Sequence, residues 1–160
     1  MDAAENSTAP DALTAQYPVV AQVEVRWGDM DAFQHVNNTV YFRYFEQVRI
    51  AYFNRAFDSS GWSGGMPSGV GPILYSTSCR FRAPVTYPDT LFIGARTTQL
   101  GADRFTMQFG VYSEQLGRIA AEGEAVVVSF DYSTGRKADL PQEWVDAIER
   151  IEAGGPDQEQ

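Results

Sequence analysis

Between residues 20 and 27 apolar and polar side chains alternate, with Val23, Val25 and Trp27 on one side and Gln22, Glu24 and Arg26 on the other. A period of two puts one face of an extended strand in a core and the other in water, so a first strand is predicted to end near Gly28. Beyond it the period changes. From residue 38 to residue 57, Tyr41, Tyr44, Phe45, Val48, Tyr52 and Phe53 recur at spacings of three and four. That spacing predicts one long helix, with Asn38 and Thr39 as its candidate N-caps. Its apolar residues cover most of the circumference, as suits a helix enclosed by a sheet.

The next segment, residues 56–72, is too rich in glycine and proline for a regular element and is expected to be a long loop. Four strand-like runs follow, over residues 73–82, 90–100, 104–113 and 118–130. Short connections join them: 83–89 with two prolines, Gly101-Ala102-Asp103, and 114–117. Residues 141–151 carry Trp144, Val145 and Ile148 at helical spacing and predict a short terminal helix behind Pro141. Strand, long helix, then four closely joined strands is the order of an α+β domain. The expected architecture is a five-stranded antiparallel sheet curved around one long helix, with a short C-terminal helix.

Composition narrows the picture. A chain of 160 residues, 44% hydrophobic, suits one domain with a substantial core. That domain is placed at 17–152, between disordered tails at 1–16 and 153–160 whose small and polar residues offer little to bury. A formal charge of −9 has the wrong sign for nucleic acid, so no nucleic-acid partner is expected. Local basic clusters, Arg80 with Arg82, Arg104, and Arg136 with Lys137, remain candidates for an anionic ligand. No stretch reaches the roughly 20 apolar residues of a membrane helix. The first 16 residues lack the basic start and apolar centre of a secretory signal, so a cytoplasmic protein is expected. One cysteine supplies neither a disulfide framework nor a Cys-rich zinc site.

The chemistry concentrates in Arg26-Trp27-Gly28-Asp29-Met30-Asp31-Ala32-Phe33-Gln34-His35-Val36-Asn37-Asn38, which holds two carboxylates and the only histidine. A strand ending in W-x-D-x-D, then H-V-N-N-x-x-Y opening an aromatic helix, then a Gly-rich loop and four strands, resembles the hot-dog-fold acyl thioesterases of the 4-hydroxybenzoyl-CoA thioesterase type. The likeness spans about residues 17–133. It implies that Asp31 is the catalytic carboxylate, that the backbone N–H of Asn38 polarises the thioester carbonyl, and that Tyr41 is the family's helix tyrosine. It also implies that Glu46 faces the acyl pocket, that two subunits pair sheets with active sites between them, and that no cofactor is needed. The substrate it implies is an acyl-CoA or acyl-carrier-protein thioester. HVNN is similar, too, to plant acyl-carrier-protein thioesterases, whose site has an Asn two residues before the histidine; here that position is Phe33.

The residues allow this chemistry on their own terms. A thiol of pKa about 8.5 leaves as thiolate without a general acid, so a thioester needs only an attacking oxygen and stabilisation of the oxyanion. Asp31, after a strand and just before a helix, shares its neighbourhood with the helix's unpaired N–H groups. It either attacks directly, forming an anhydride, or activates a water. His35 is a candidate for orienting substrate, water or the Asp31 loop, and equally a hydrogen-bonded packing residue. Asp29 is assigned to the turn. A metal site is not expected, because His35 has no second histidine to join it. Phe33, Tyr41, Glu46, Arg80, Arg82 and Arg104 complete the candidate substrate-binding set, and Phe33, Phe42 and Trp62 suit a fatty chain or an aromatic ring alike.

Two strings are set aside. Gly61-Trp62-Ser63-Gly64-Gly65 matches the G-x-S-x-G nucleophile elbow, but it follows a predicted helix rather than a strand, and the only histidine precedes it. Cys79, alternating with Thr77 and Phe81, is a small packing residue in a strand. The uncovered sheet edge and helix flank predict a homodimer or homotetramer. The competing functions are a non-catalytic acyl-CoA-binding domain and a hot-dog dehydratase. The first needs no carboxylate at the thioester; the second draws its histidine and carboxylate from different elements.

Overall fold

In a computed structural model the described residues are 8–57 and 69–154. The centre of the Gly-rich segment, with the Gly61-Trp62-Ser63-Gly64-Gly65 string, lies outside them, as do residues 1–7 and 155–160. In chain order the elements are α1 (Asp11–Gln16), β1 (Val19–Glu24), α2 (Val40–Phe57), β2 (Val70–Phe81), β3 (Thr90–Leu100), β4 (Arg104–Ser113), β5 (Arg118–Asp131), β6 (Arg136–Lys137) and α3 (Gln142–Gly154). The strands form one antiparallel sheet in the order β1-β3-β4-β5-β2, and β6 adds two residues beside the end of β5. The expected five-stranded α+β arrangement around one long helix is present, with β6 as a short addition.

The sheet curls around α2 because the side chains between them demand it. Phe45, Val48 and Tyr52, spaced three and four apart on the helix, are fully buried with Phe105, Met107, Phe109 and Val111 of β4. Each fully buried side chain of this size contributes roughly 1.5–3 kcal/mol, which fixes the helix against the sheet. Phe45 stacks on Phe109 at 4.9 Å, and a glycine on the neighbouring strand makes room. A Cβ at Gly123 would overlap the Phe45 ring and come within 3.0 Å of the Ser78 carbonyl oxygen. At the far end of α2, the Tyr52 hydroxyl and the Thr97 N–H both donate to Glu152 across 2.7 Å. The predicted terminal helix is present as α3, and Trp144 meets Phe57 at 5.1 Å, which docks it against α2. Among the described residues no helix is long and apolar enough to cross a membrane.

Three differences from the sequence reading have physical causes. Residues 11–16, assigned to the tail, form α1, because Leu13 and Tyr17 find a second apolar cluster with Phe92 on the outer face of the sheet. Tyr17 lies across Gly94 and Gly110, and Arg96 stands over its ring at 5.1 Å. The first strand stops at Glu24, short of Trp27. There the Asp29 carboxylate accepts the Arg26 N–H at 2.8 Å and folds Trp27–Asp29 into a 3-10 turn, leaving Trp27 largely exposed. Finally, α2 begins at Val40 rather than residue 38, and among the described residues neither the Asn38 nor the Thr39 side chain accepts a first-turn N–H. Asn37 serves instead: its side-chain oxygen takes the Thr39 N–H at 2.9 Å and its carbonyl takes the Val40 N–H at 3.0 Å.

Candidate active site

The segment between β1 and α2 is held at both ends. The Val25 N–H donates to the Asp89 carbonyl at 3.0 Å, and the buried Val36 donates to the Val85 carbonyl at 2.9 Å. Met30 and Val36 form an isolated antiparallel bridge, which folds residues 30–36 into a small loop. Its tip is a turn in which the Gln34 N–H donates to the Asp31 carbonyl at 2.9 Å, with Gln34 in the left-handed region at φ 65°. Asp31 therefore stands at the neck of a tied loop, partly buried, two bonded segments from the start of α2.

Its carboxylate is oriented from two directions. Oδ1 accepts the Phe33 N–H at 2.9 Å, and Oδ2 accepts the Asn37 side-chain N–H at 2.9 Å. An ionised carboxylate offers about four lone-pair sites, so each oxygen keeps one for a reacting atom. The first-turn donors of α2 are shared out differently. Thr39 and Val40 donate to Asn37, while no acceptor among the described residues takes the Asn38 N–H. A carboxylate with spare lone pairs and a backbone donor at a helix start thus border one cavity.

That cavity, about 570 Å³, brings together Asp31, Phe33, His35, Asn38, Tyr41 and Arg82, six of the nine candidate site residues. Phe33, His35 and Asn38 are exposed, and Tyr41 is buried beneath them. The Tyr41 ring meets Phe81 edge-on at 5.0 Å, so α2 and β2 wall the cavity through an aromatic pair. Burial pushes the Tyr41 phenol up from 10.0 to about 12, which keeps it a neutral hydrogen-bonding group. Arg82 reaches the cavity rim while paired with Glu122 at 2.7 Å. Asp31 also borders a second cavity of about 580 Å³ lined by Trp27, Met30 and Tyr87.

The other three candidates lie elsewhere. Glu46 is exposed further along α2 and does not line the Asp31 cavity. Arg80 lines a separate pocket with Tyr17 and Arg96. Arg104 pairs with Asp103 at 2.8 Å and lies 5.5 Å over the Tyr75 ring. Asp29 holds the turn, accepting from the Arg26 N–H and the Tyr44 hydroxyl. Cys79 packs half-buried against the core, and burial raises its thiol to about 11, away from thiolate reactivity. The residue that sequence reading passed over is Asn37, which both caps α2 and binds Asp31. Its signal was the Asn-Asn pair, but the two cannot be ranked without the loop geometry.

A curled antiparallel sheet around one long helix, with a short C-terminal helix, is the architecture of the hot-dog thioesterase class. The chain belongs to the thioesterase-like superfamily, which it matches over residues 25–148. It is 24% identical to the long-chain acyl-CoA thioesterase FadM of Escherichia coli over 130 residues, 81% of this chain and 96% of FadM. A Thermus thermophilus thioesterase solved with coenzyme A and zinc is 31% identical, with a TM-score of 0.72 over 85% of this chain and 95% of its own. A Pseudomonas aeruginosa protein superposes with a TM-score of 0.73 at 27% identity, over 91% of this chain and 96% of its own.

Proposed function

We propose that this protein is an acyl-CoA thioesterase, hydrolysing the thioester of CoA or of an acyl-carrier protein to a free acid and a thiol, with Asp31 as the reacting carboxylate. The observation that carries this reading is the pairing of an oriented Asp31 carboxylate with the uncommitted Asn38 N–H on one cavity. The thioester carbonyl oxygen takes the Asn38 N–H, which stabilises the developing oxyanion. Asp31 then either adds to the carbonyl carbon and expels thiolate, leaving an anhydride that water cleaves, or accepts a proton from the water that attacks. Phe33 and Tyr41 offer apolar and hydrogen-bonding surface to the substrate, and His35 sits where it can orient substrate or water.

The two cavities that meet at Asp31 suit a substrate whose reacting carbonyl carries two arms, one acyl and one pantetheine. Coenzyme A in the Thermus thermophilus relative and the long-chain acyl-CoA activity in FadM's name favour CoA as the carrier. Subunit pairing belongs to the same reading. Among the described residues β2 hydrogen-bonds to β5 on one side only, and Leu74, Tyr75 and Phe81 on it, with Phe42 and Ile50 on α2, are apolar and exposed. A second copy covers this surface in a homodimer, which a tetramer would repeat.

The test is a panel of acyl-CoAs of varied chain length and ring content, scored by release of free thiol. Turnover of one class above the spontaneous rate is expected. Tight binding across the panel with no thiol released would instead mark a non-catalytic acyl-CoA-binding domain.

A further inference from the structure

We infer that Asn37 is a positioning residue for the reaction, holding the Asp31 carboxylate in register with the start of α2; the inference rests on the reading of Asp31 as the reacting group. Asn37 divides its amide between two tasks. Its oxygen accepts the Thr39 N–H at 2.9 Å and the Thr39 hydroxyl at 2.6 Å, and its NH2 donates to Asp31 Oδ2 at 2.9 Å.

The chemistry of the partners fixes this orientation. Two donors face the oxygen and a carboxylate faces the nitrogen, so a flipped amide would set oxygen against oxygen and nitrogen against N–H. Asn37 is locked from its backbone too, because its N–H donates to the Asp29 carbonyl at 2.9 Å and its carbonyl takes the Val40 N–H. The side chain therefore bridges the attacking carboxylate and the first turn of the helix, whose Asn38 N–H receives the substrate carbonyl. The distance between nucleophile or base and oxyanion donor is set through this one amide. The Asp31–Phe33 contact alone ties the carboxylate only to its own turn, nine residues before the start of α2 at Val40.

The two tasks separate by substitution. Asn37→Asp keeps an acceptor for Thr39, and Asp caps helices as well as Asn does, so the helix cap persists. It loses the donor and sets a second carboxylate against Asp31. Asn37→Ser keeps a capping hydroxyl, loses the donor and adds no charge, which separates lost positioning from repulsion. Both variants are measured for kcat and KM on the best acyl-CoA of the panel, beside Asp31→Asn and with thermal melts.

Both Asn37 variants are expected to lose about tenfold to about a hundredfold in kcat, the scale of a small misplacement of a reacting group, with KM changed less than about threefold. A residue that only caps the helix would spare kcat in both variants, since each keeps a capping acceptor. If both variants melt near wild type and keep kcat within about threefold while Asp31→Asn is inactive, the inference falls and the reading of Asp31 stands. If Asp31→Asn retains activity, the reading itself falls and takes the inference with it.

Discussion

The hydroxyl of Tyr44 donates to the Asp29 carboxylate across 3.3 Å, so the first aspartate of the pair belongs to α2 and to the turn before it, not to the cavity. The same oxygen holds the Arg26 N–H. Burial, with the Asp29 charge beside it, keeps the Tyr44 phenol well above its ordinary range, so Tyr44 stays a donor at any working pH. Asp31, two residues on, has no such tie to the core and faces the cavity instead.

This division separates two conservative substitutions. Asp31→Asn keeps the shape of the side chain and removes its charge, so kcat is expected to fall about a hundredfold to ten-thousandfold with melting near wild type. Asp29→Asn keeps an acceptor for Arg26, and its kcat is expected to stay above about a tenth of wild type. Its cost appears in thermal melting. Steady-state kinetics with parallel melts checks both; an Asp31→Asn enzyme above about a tenth of wild-type kcat would sink the assignment.

Charge reversal ranks the arginines. Arg82 is the one of Arg80, Arg82 and Arg104 that lines the Asp31 cavity, so Arg82→Glu is expected to raise KM for acyl-CoA more than it lowers kcat. Its ion pair with Glu122 is exposed on both sides, so stability should change little. Arg80→Glu and Arg104→Glu should act weakly in a single subunit's site. Added salt should weaken wild-type binding and leave Arg82→Glu less affected. Equal indifference in all three variants would point to a carrier protein or to contacts outside these arginines.

Alkaline titration reads the buried tyrosines. Tyr41 moves from 10.0 to about 12, and Tyr44 and Tyr52 rise as well, chiefly because burial disfavours the phenolate. A group whose folded pKa lies above its unfolded value stabilises the fold fully below pH 10 and loses that contribution as pH climbs through the folded value. Stability should therefore fall between pH 10 and about 12, by roughly 3 kcal/mol from Tyr41 alone. Chemical denaturation across that range checks it. Tyr41→Phe should have a shallower decline, and an unchanged slope would refute the attribution.

The periodic parts of this chain were legible because packing alone decides them. β3 and β4 span the strand-like runs read at residues 90–100 and 104–113, and the buried face of α2 is the stripe read from its spacing. Asp31, His35, Asn38 and Tyr41 came together because they are neighbours across one loop and one helix turn, where sequence distance and spatial distance agree. What sequence could not rank was local hydrogen bonding. Asn37, Asn38 and Thr39 are all competent caps, and the choice of Asn37 follows from the left-handed Gln34 and the Met30–Val36 bridge, which bring its amide beside Asp31. Nor could it see that Arg80 and Arg82, two residues apart, serve different pockets, or that α1 would find a glycine-lined groove for Tyr17.

The exposed edge of β2 yields the last expectation. An antiparallel strand of twelve residues with one row of N–H and C=O groups unpaired among the described residues is a template for a further strand, and here it also carries Leu74, Tyr75 and Phe81 on its exposed surface. Tyr75, at the bulge between Leu74 and Ser76, is 70% exposed, an unfavourable place for a large ring in a lone subunit. The edge continues into the cavity, since Phe81 and Arg82 line it beside Asp31. A copy seated on β2 would therefore cover the apolar strip and close one side of the site. Sedimentation equilibrium at micromolar concentrations is expected to give a dimer or larger. Leu74→Lys and Tyr75→Lys place charges on the pairing edge and should shift the protein toward monomer, with kcat/KM falling in parallel on dilution. A wild-type protein that sediments as a monomer and is fully active would mean that each subunit completes its own site, and the shared-site arrangement would be abandoned.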